Sequence, residues 1–297
     1  MAQTEQKNQN VKKQFEELQS LLERAMALQT SMVLFEWDDE TLAPKGAAEH
    51  TARVIGSLSE QYQEILASMR FKELLDACQK AEKENAGVFD EVQSAILREA
   101  AEEQERLSCI PPEEYRAYAE LTARATGIWT RAREKNDFAS FAPVLKEIIS
   151  YQKKFAAYRA KPGQKLYDVM LDSFEPGFTM EKLDEFFGML KEHIVPLLKQ
   201  VMESPVRIQD DFLDGDYSEE KQRQLAEYLA KYVGFDFSRG VLAVSAHPFT
   251  TNLHNRDVRI TTHYKSRVDS SAFSVIHESG HAIYEFGIDD RLSQTPA

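Results

Sequence analysis

The residues whose types and spacing could do chemistry are His277, Glu278 and His281, in the run His277-Glu278-Ser279-Gly280-His281. On a helix, residues four apart project about 40° from one another and rise about 6 Å, so two imidazoles at that spacing can share one metal ion. Zinc suits such a pair. Neutral imidazole ligates it well, and water in an open coordination position ionises near pH 7 rather than near 16, as an order of magnitude. Glu278 then has the chemistry of a general base, taking a proton from that water and delivering it to the leaving amine of a cleaved peptide.

A catalytic zinc site needs a third protein ligand besides water. Glu285 lies about 12 Å along the helix from His277, beyond reach of an ion held by both histidines. His263, on the segment before the helix, reads as a structural or supporting group in preference to a ligand. Beyond Glu285 the only acidic candidates are Asp289 and Asp290. The sequence therefore reads as cut off before its own site is finished, with the third metal ligand absent, and as an incomplete fragment expected to have little or no activity itself.

Two further features shape the expectation. Phe273, Ile276 and Tyr284 share a helical stripe with both histidines, which predicts imidazoles taken out of water and satisfied by a common metal. Gly280 stands mid-helix, where glycine costs about 1 kcal/mol relative to alanine, and this predicts a close approach to the backbone there.

These side chains need elements to position them. Asp269 and Ser270 offer a start and Gly287 a stop, so the motif falls on a helix of roughly four turns. Ahead of it, Val258, Ile260, Thr262 and Tyr264 alternate with Arg259, Thr261 and His263, the period of a strand. This marks a small β region at about 240–265 beside the helix. From Val11 to about Tyr232 the apolar residues recur at three and four, as in Phe15, Leu18, Leu21, Leu22 and Met26, which predicts helices. Breaks are expected at Ala43-Pro44-Lys45-Gly46, Ile110-Pro111-Pro112, Lys161-Pro162-Gly163 and Glu175-Pro176-Gly177. Thr179 and Ser218 are expected helix caps. The fold class is mainly α, a multi-helix, zincin-like arrangement with a small strand region.

Composition narrows the partners. Lys and Arg total 36 against 49 Asp and Glu, a formal charge of −13, with no basic stripe, so nucleic acid and anionic membrane are excluded as expected partners. The two cysteines, Cys78 and Cys109, lack metal-type spacing and fit a reducing, cytoplasmic location. Met1–Asn10 lacks the apolar stretch of a signal peptide, and no run of about 18 apolar residues occurs.

Over most of its length the chain resembles the carboxypeptidase Taq (thermostable carboxypeptidase 1) metallopeptidases. The resemblance rests on His247-Pro248-Phe249, on Asp257-Val258-Arg259-Ile260-Thr261 and on His277-Glu278-x-x-His281 followed by Ala282-Ile283-Tyr284-Glu285. Weaker support comes from Trp37-Asp38-x-x-Thr41, from Asp137-Phe138 with Phe141 and Pro143, and from Tyr167-Asp168 with Glu175-Pro176-Gly177. The resemblance implies a mostly helical homodimer with a long groove that removes single residues from peptide C-termini with broad specificity. It implies zinc, with cobalt as the alternative ion, on His277 and His281, and Glu278 as general base. His247, Asp257 and Arg259 would be second-shell or substrate-binding positions, and a glutamate beyond Ala297 would complete the ligands. Residues 1–235 would form a helical region and groove wall, and 236–297 the incomplete start of the catalytic region.

Arg256 and Arg259 are the arginines available to hold a substrate carboxylate at two points. Two other readings stay open: a metallo-endo-oligopeptidase on the same helix, and a non-catalytic helical binding or assembly module whose metal site is vestigial.

Overall fold

The computed structural model describes residues 2–297; Met1, the first residue of the polar stretch read for a leader, lies outside them. Ten α-helices and a three-stranded sheet make up the described residues, as the periodicity predicts. By internal contacts the chain divides into one unit of residues 1–144 and 213–297 and a second of residues 145–212.

In the first unit, α1 (Ala2–Thr41), α2 (Ala48–Leu66), α3 (Met69–Glu84) and α4 (Glu91–Ser108) enclose a shared apolar core. Leu18, Leu66, Phe71, Leu74, Leu97 and Cys78 are completely or almost completely withdrawn from water there. The rings of Phe15 and Phe89 meet with centroids 5.1 Å apart, a tilted aromatic contact of the preferred kind. α5 (Pro112–Glu134) follows α4, with its leading proline at a position where a missing N–H costs nothing.

The expected breaks fall between helices. Ala43 to Gly46 separates α1 from α2, and Pro111 precedes α5. Pro162 and Gly163 follow α6 (Phe138–Arg159), while Pro176 and Gly177 precede α8 (Met180–Glu203) after the short α7 (Leu166–Asp172). Thr179 and Ser218 cap α8 and α9 (Glu219–Val233), each accepting a backbone N–H from the residue three further on. In the second unit, Phe186, Leu190, Ile194 and Leu197 are exposed along α8, which has no buried residue.

Asp90 begins α4 with a reciprocal capping box, its carboxylate accepting the Gln93 N–H while the Gln93 side chain accepts the Asp90 N–H. Asp90 also lies 3.5 Å from Arg291, but both side chains are exposed and such a pair contributes little. Asp90→Ala is therefore expected to lower stability by about 1 kcal/mol through the lost cap. An unchanged urea midpoint would count against that cap's contribution.

The sheet has the order β1 (Gly240–Val244), β3 (Asp257–Thr262), β2 (Thr250–His254), with β1 parallel and β2 antiparallel to β3. Gly240 is required by a close approach: a Cβ there would stand 2.8 Å from the Val258 carbonyl oxygen and would also collide with the Phe235 ring. Gly234 ends α9 at φ 104°, a left-handed conformation that glycine adopts without steric cost. No helix among the described residues is long and apolar enough to cross a membrane.

Candidate metal centre

α10 (Val268–Phe286) carries the histidine motif, and its seat on the sheet decides which way the histidines face. Its buried side is Ser271, Val275, Glu278, Ser279 and Ala282. Val275 and Ala282 join Val258 and Ile260 of β3 and Ala226, Ala230 and Phe235 from α9 and its exit in a second apolar cluster. Polar ties fix the same face. Thr262 and Ser274 hydroxyls lie 2.9 Å apart, and the Ser271 hydroxyl donates to Gln222, whose amide donates in turn to the Tyr217 and Lys265 carbonyls.

With that face held, His277 and His281 turn outward together. Their Nε2 atoms stand 3.1 Å apart, with ring centroids at 4.7 Å and planes at 87°. Two nitrogens each about 2.0–2.1 Å from one tetrahedral zinc would stand roughly 3.3 Å apart. The imidazole pair therefore fits one divalent ion almost as it stands. Glu278 lies between them in sequence but on the buried side, 7% exposed, where the Thr250 hydroxyl donates to its Oε2 at 2.6 Å.

The third ligand does not emerge from the fold. Among the described residues no three His, Cys, Asp or Glu side chains gather as a metal site. Each acidic candidate is engaged elsewhere: Glu285 accepts from the Asn252 amide, Asp289 from the Arg291 backbone N–H, and Asp290 from Asn255 and Arg256. His263 Nδ1 lies 3.0 Å from the Ser245 carbonyl, a structural hydrogen bond.

Two expectations from the sequence are corrected here. The stripe of Phe273, Ile276 and Tyr284 is not the core side; Phe273 and Tyr284 are each 73% exposed, and His277 and His281 are exposed with them. The helix lies close on its sheet, and close packing selected small side chains, so the more hydrophobic stripe points away. Gly280 is likewise open: among the described residues nothing beyond the helix's own backbone lies within 4 Å of where its Cβ would be. Gly280→Ala is therefore expected to stabilise the chain by about 1 kcal/mol. A fall in thermal midpoint for that variant would count against open space at that position.

The neighbouring motifs are tied into the sheet by hydrogen bonds. Thr261, fully buried, accepts through Oγ1 from the Ser245 hydroxyl at 2.7 Å and from the Phe249 N–H at 3.0 Å. Ser245 Oγ is also 2.7 Å from the His247 carbonyl. The loop carrying His247-Pro248-Phe249 is thus fastened to β3. Asp257 and Arg259 form a two-pronged pair, both contacts at 2.9 Å, and the guanidinium lies 4.8 Å from the centroid of the buried Trp37 ring. Arg256 pairs with Asp290 at 2.8 Å. Among the described residues, no hydrogen bond or ion pair joins His247, Asp257 or Arg259 to His277, Glu278 or His281.

A cavity of about 320 Å³ lies between α1, α2, α5 and β2, lined by Trp37, Asp39, Glu40, Thr122, Phe249 and Thr251 among others. Burial raises the Asp39 and Glu40 carboxyls above the ordinary range, and the adjoining acid on α1 adds to this in each case. His247 draws Glu40 back down.

Thr250, Asn252 and Ser245, which bond to Glu278, Glu285 and the His247 loop, are not singled out by the sequence. The alternation along 250–252 was available as a signal, since Thr250 and Asn252 share one face of β2. Nothing in it named the carboxylates they meet.

A mostly helical chain that presents two imidazoles one turn apart, with a buried glutamate beside them and a small sheet behind, has the build of a metallohydrolase. It belongs to the carboxypeptidase Taq (M32) metallopeptidase family, whose pattern matches residues 17–297. That membership implies a divalent metal. Carboxypeptidase 1 of Bacillus subtilis is 39% identical over 276 residues, covering 93% of this chain and 54% of the relative. Thermostable carboxypeptidase 1 of Thermus thermophilus is 32% identical over 290 residues, 94% of this chain and 56% of the relative. Among solved structures, the BsuCP crystal structure aligns with a TM-score of 0.90 at 38% identity, over 95% of this chain and 56% of that one. The Pyrococcus furiosus carboxypeptidase structure gives 0.81 at 31%, over 95% and 56%. The chain spans about half the length of the curated relatives it matches.

Proposed function

We propose that the protein acts as a zinc-dependent carboxypeptidase that releases C-terminal amino acids from peptides, with His277 and His281 as two of the three metal ligands such a site needs, the third standing outside the described residues, and Glu278 as general base. The observation that carries this reading is the pair of Nε2 atoms 3.1 Å apart on one helix, with Glu278 next to His277 in the chain and held by Thr250. A divalent ion in that position would lower the pKa of bound water to about 7 and polarise a peptide carbonyl.

The chain's own residues do the rest. The outward imidazoles offer Nε2 to the ion, and the sheet behind α10 keeps both rings on one side. Glu278 accepts a proton from the attacking water and returns it to the leaving nitrogen, a step of general acid–base kind. His247, Asp257 and Arg259 are proposed to shape the surroundings of this centre: Arg259 by its pair with Asp257 against Trp37, His247 on the loop fastened by Thr261.

The finer parts of the reading are proposals too. Zinc in preference to cobalt and a homodimer rest on the family resemblance, and a cytoplasmic location on the cysteine usage. The division into a helical region of residues 1–235, forming a groove wall, and a catalytic region of 236–297 also rests on the family resemblance.

The test uses the zinc-loaded protein and paired peptides that differ only in a free or an amidated C-terminus. Release of single amino acids from the free peptide alone supports the proposal. Internal cleavage of both peptides would make the protein an endopeptidase. No cleavage, with no bound metal by elemental analysis, would leave a binding module with a vestigial site.

A further inference from the structure

The Thr250 hydroxyl stands between two acceptors of the same residue, 2.6 Å from Glu278 Oε2 and 3.1 Å from the Glu278 carbonyl oxygen. A hydroxyl carries one proton and can give it to only one of them. The shorter contact, to Oε2, is the hydrogen bond. Among the described residues Thr250 is the hydrogen-bonding partner of this carboxylate, and Glu278 is 7% exposed, so the contact is made largely out of water. β2 supplies it from a fixed frame: Thr250 pairs with Ile260 across the sheet, and Asn252, on the same face of the strand, holds Glu285 two helical turns further along α10.

We propose that Thr250 is the positioning residue for Glu278: its hydroxyl donates to Oε2 and fixes the orientation of the carboxyl group on α10. A group held in one geometry by a bond to a strand has less freedom to lose in reaching its reactive arrangement than one that must be ordered at each turnover.

This inference rests on the proposed role of Glu278, and its test separates the two. Glutamate labelled with ¹³C at the side-chain carboxyl is incorporated into the metal-free protein, and the Glu278 resonance is assigned by its loss in Glu278→Gln. Thr250→Val, which removes the hydroxyl at nearly constant shape, should move that resonance, and Thr250→Ser should restore it. Zinc content should be the same in all three proteins. In the zinc-loaded protein, Thr250→Val should lower kcat by about 10-fold to 100-fold, the range for partners of metal-site groups, with KM little changed, and Thr250→Ser should recover most of the loss.

A Glu278 resonance that does not move in Thr250→Val overturns the inference, whatever the activity. So does a Thr250→Ser protein as impaired as Thr250→Val, which would make the threonine methyl, a packing group, the part that matters. A resonance that moves and is restored by serine, in a protein that cleaves no peptide, upholds the hold on Glu278 and refutes the carboxypeptidase reading instead.

Discussion

Glu278→Gln is expected to keep the metal and lose the reaction, while His277→Ala and His281→Ala lose both. Glutamine has nearly the shape of glutamate, and its amide oxygen can still accept from the Thr250 hydroxyl, so the buried side of α10 should stay packed. What it cannot do is accept a proton, and removal of a general base costs about 10²-fold to 10⁴-fold in rate. His277→Ala acts differently. It removes one of the two nitrogens 3.1 Å apart, and because that side chain is exposed the fold should be indifferent to its loss. Two measurements separate these outcomes. Zinc at about 100 times its dissociation constant stabilises a folded protein by roughly 2.7 kcal/mol. The parent chain and Glu278→Gln should both gain thermal midpoint on adding zinc at that ratio, whereas the histidine variants at the same zinc concentration should gain almost nothing. If His277→Ala gained as much as the parent, the ion would be bound somewhere else and the assignment of the centre would fall. If Glu278→Gln retained full peptidase rate, some other group would be the base.

The elements that were legible from sequence are those whose signal is local. A run of apolar residues at three and four predicts α1, and the Pro-Gly pairs mark where α6 to α8 stop and start. Thr179 and Ser218 cap their helices because a hydroxyl three residues before a free N–H is a geometric fact of the chain itself. The site was legible to the same extent, because residues four apart on a helix meet wherever that helix is. What was not legible depends on partners distant in sequence. The buried side of α10 is not legible because the apolar stripe of Phe273, Ile276 and Tyr284 is more hydrophobic than the side that packs, which is Ser271, Val275, Glu278, Ser279 and Ala282. Hydrophobic periodicity counts apolar residues and is blind to how closely a sheet approaches. The same holds for Thr250, Ser245 and Thr261, whose hydroxyls are spent on residues 28, 16 and 12 positions away. The sequence placed Asp257 and Arg259 together as a candidate pair, and the structure adds Trp37, more than two hundred residues earlier, as the surface against which the guanidinium lies.

The largest loss of stability is expected from the core of the helical unit, in Phe71→Ala. Phe71 is fully buried in α3, packed in the cluster that includes Leu18, Leu22, Leu74, Leu75 and Leu97. Truncating a buried phenylalanine removes its transfer free energy and leaves a cavity that neighbours fill only in part, a cost of about 3–5 kcal/mol. Domains of this kind have roughly 5–15 kcal/mol of stability in all, so one such change removes a large share of it. The comparison with the metal centre is instructive, because α10 rests on a separate apolar cluster built from Ala226, Ala230, Phe235, Val258, Ile260, Val275 and Ala282. Phe71→Ala should therefore lower the urea midpoint without altering the zinc affinity of the protein that remains folded, whereas His277→Ala should do the reverse. Measuring both quantities on both variants tests whether fold and centre are energetically separate. A loss of zinc affinity in Phe71→Ala at urea concentrations far below its midpoint would mean that the helical core sets the geometry of the two imidazoles, and the sheet behind α10 would no longer suffice as the explanation of how they are held.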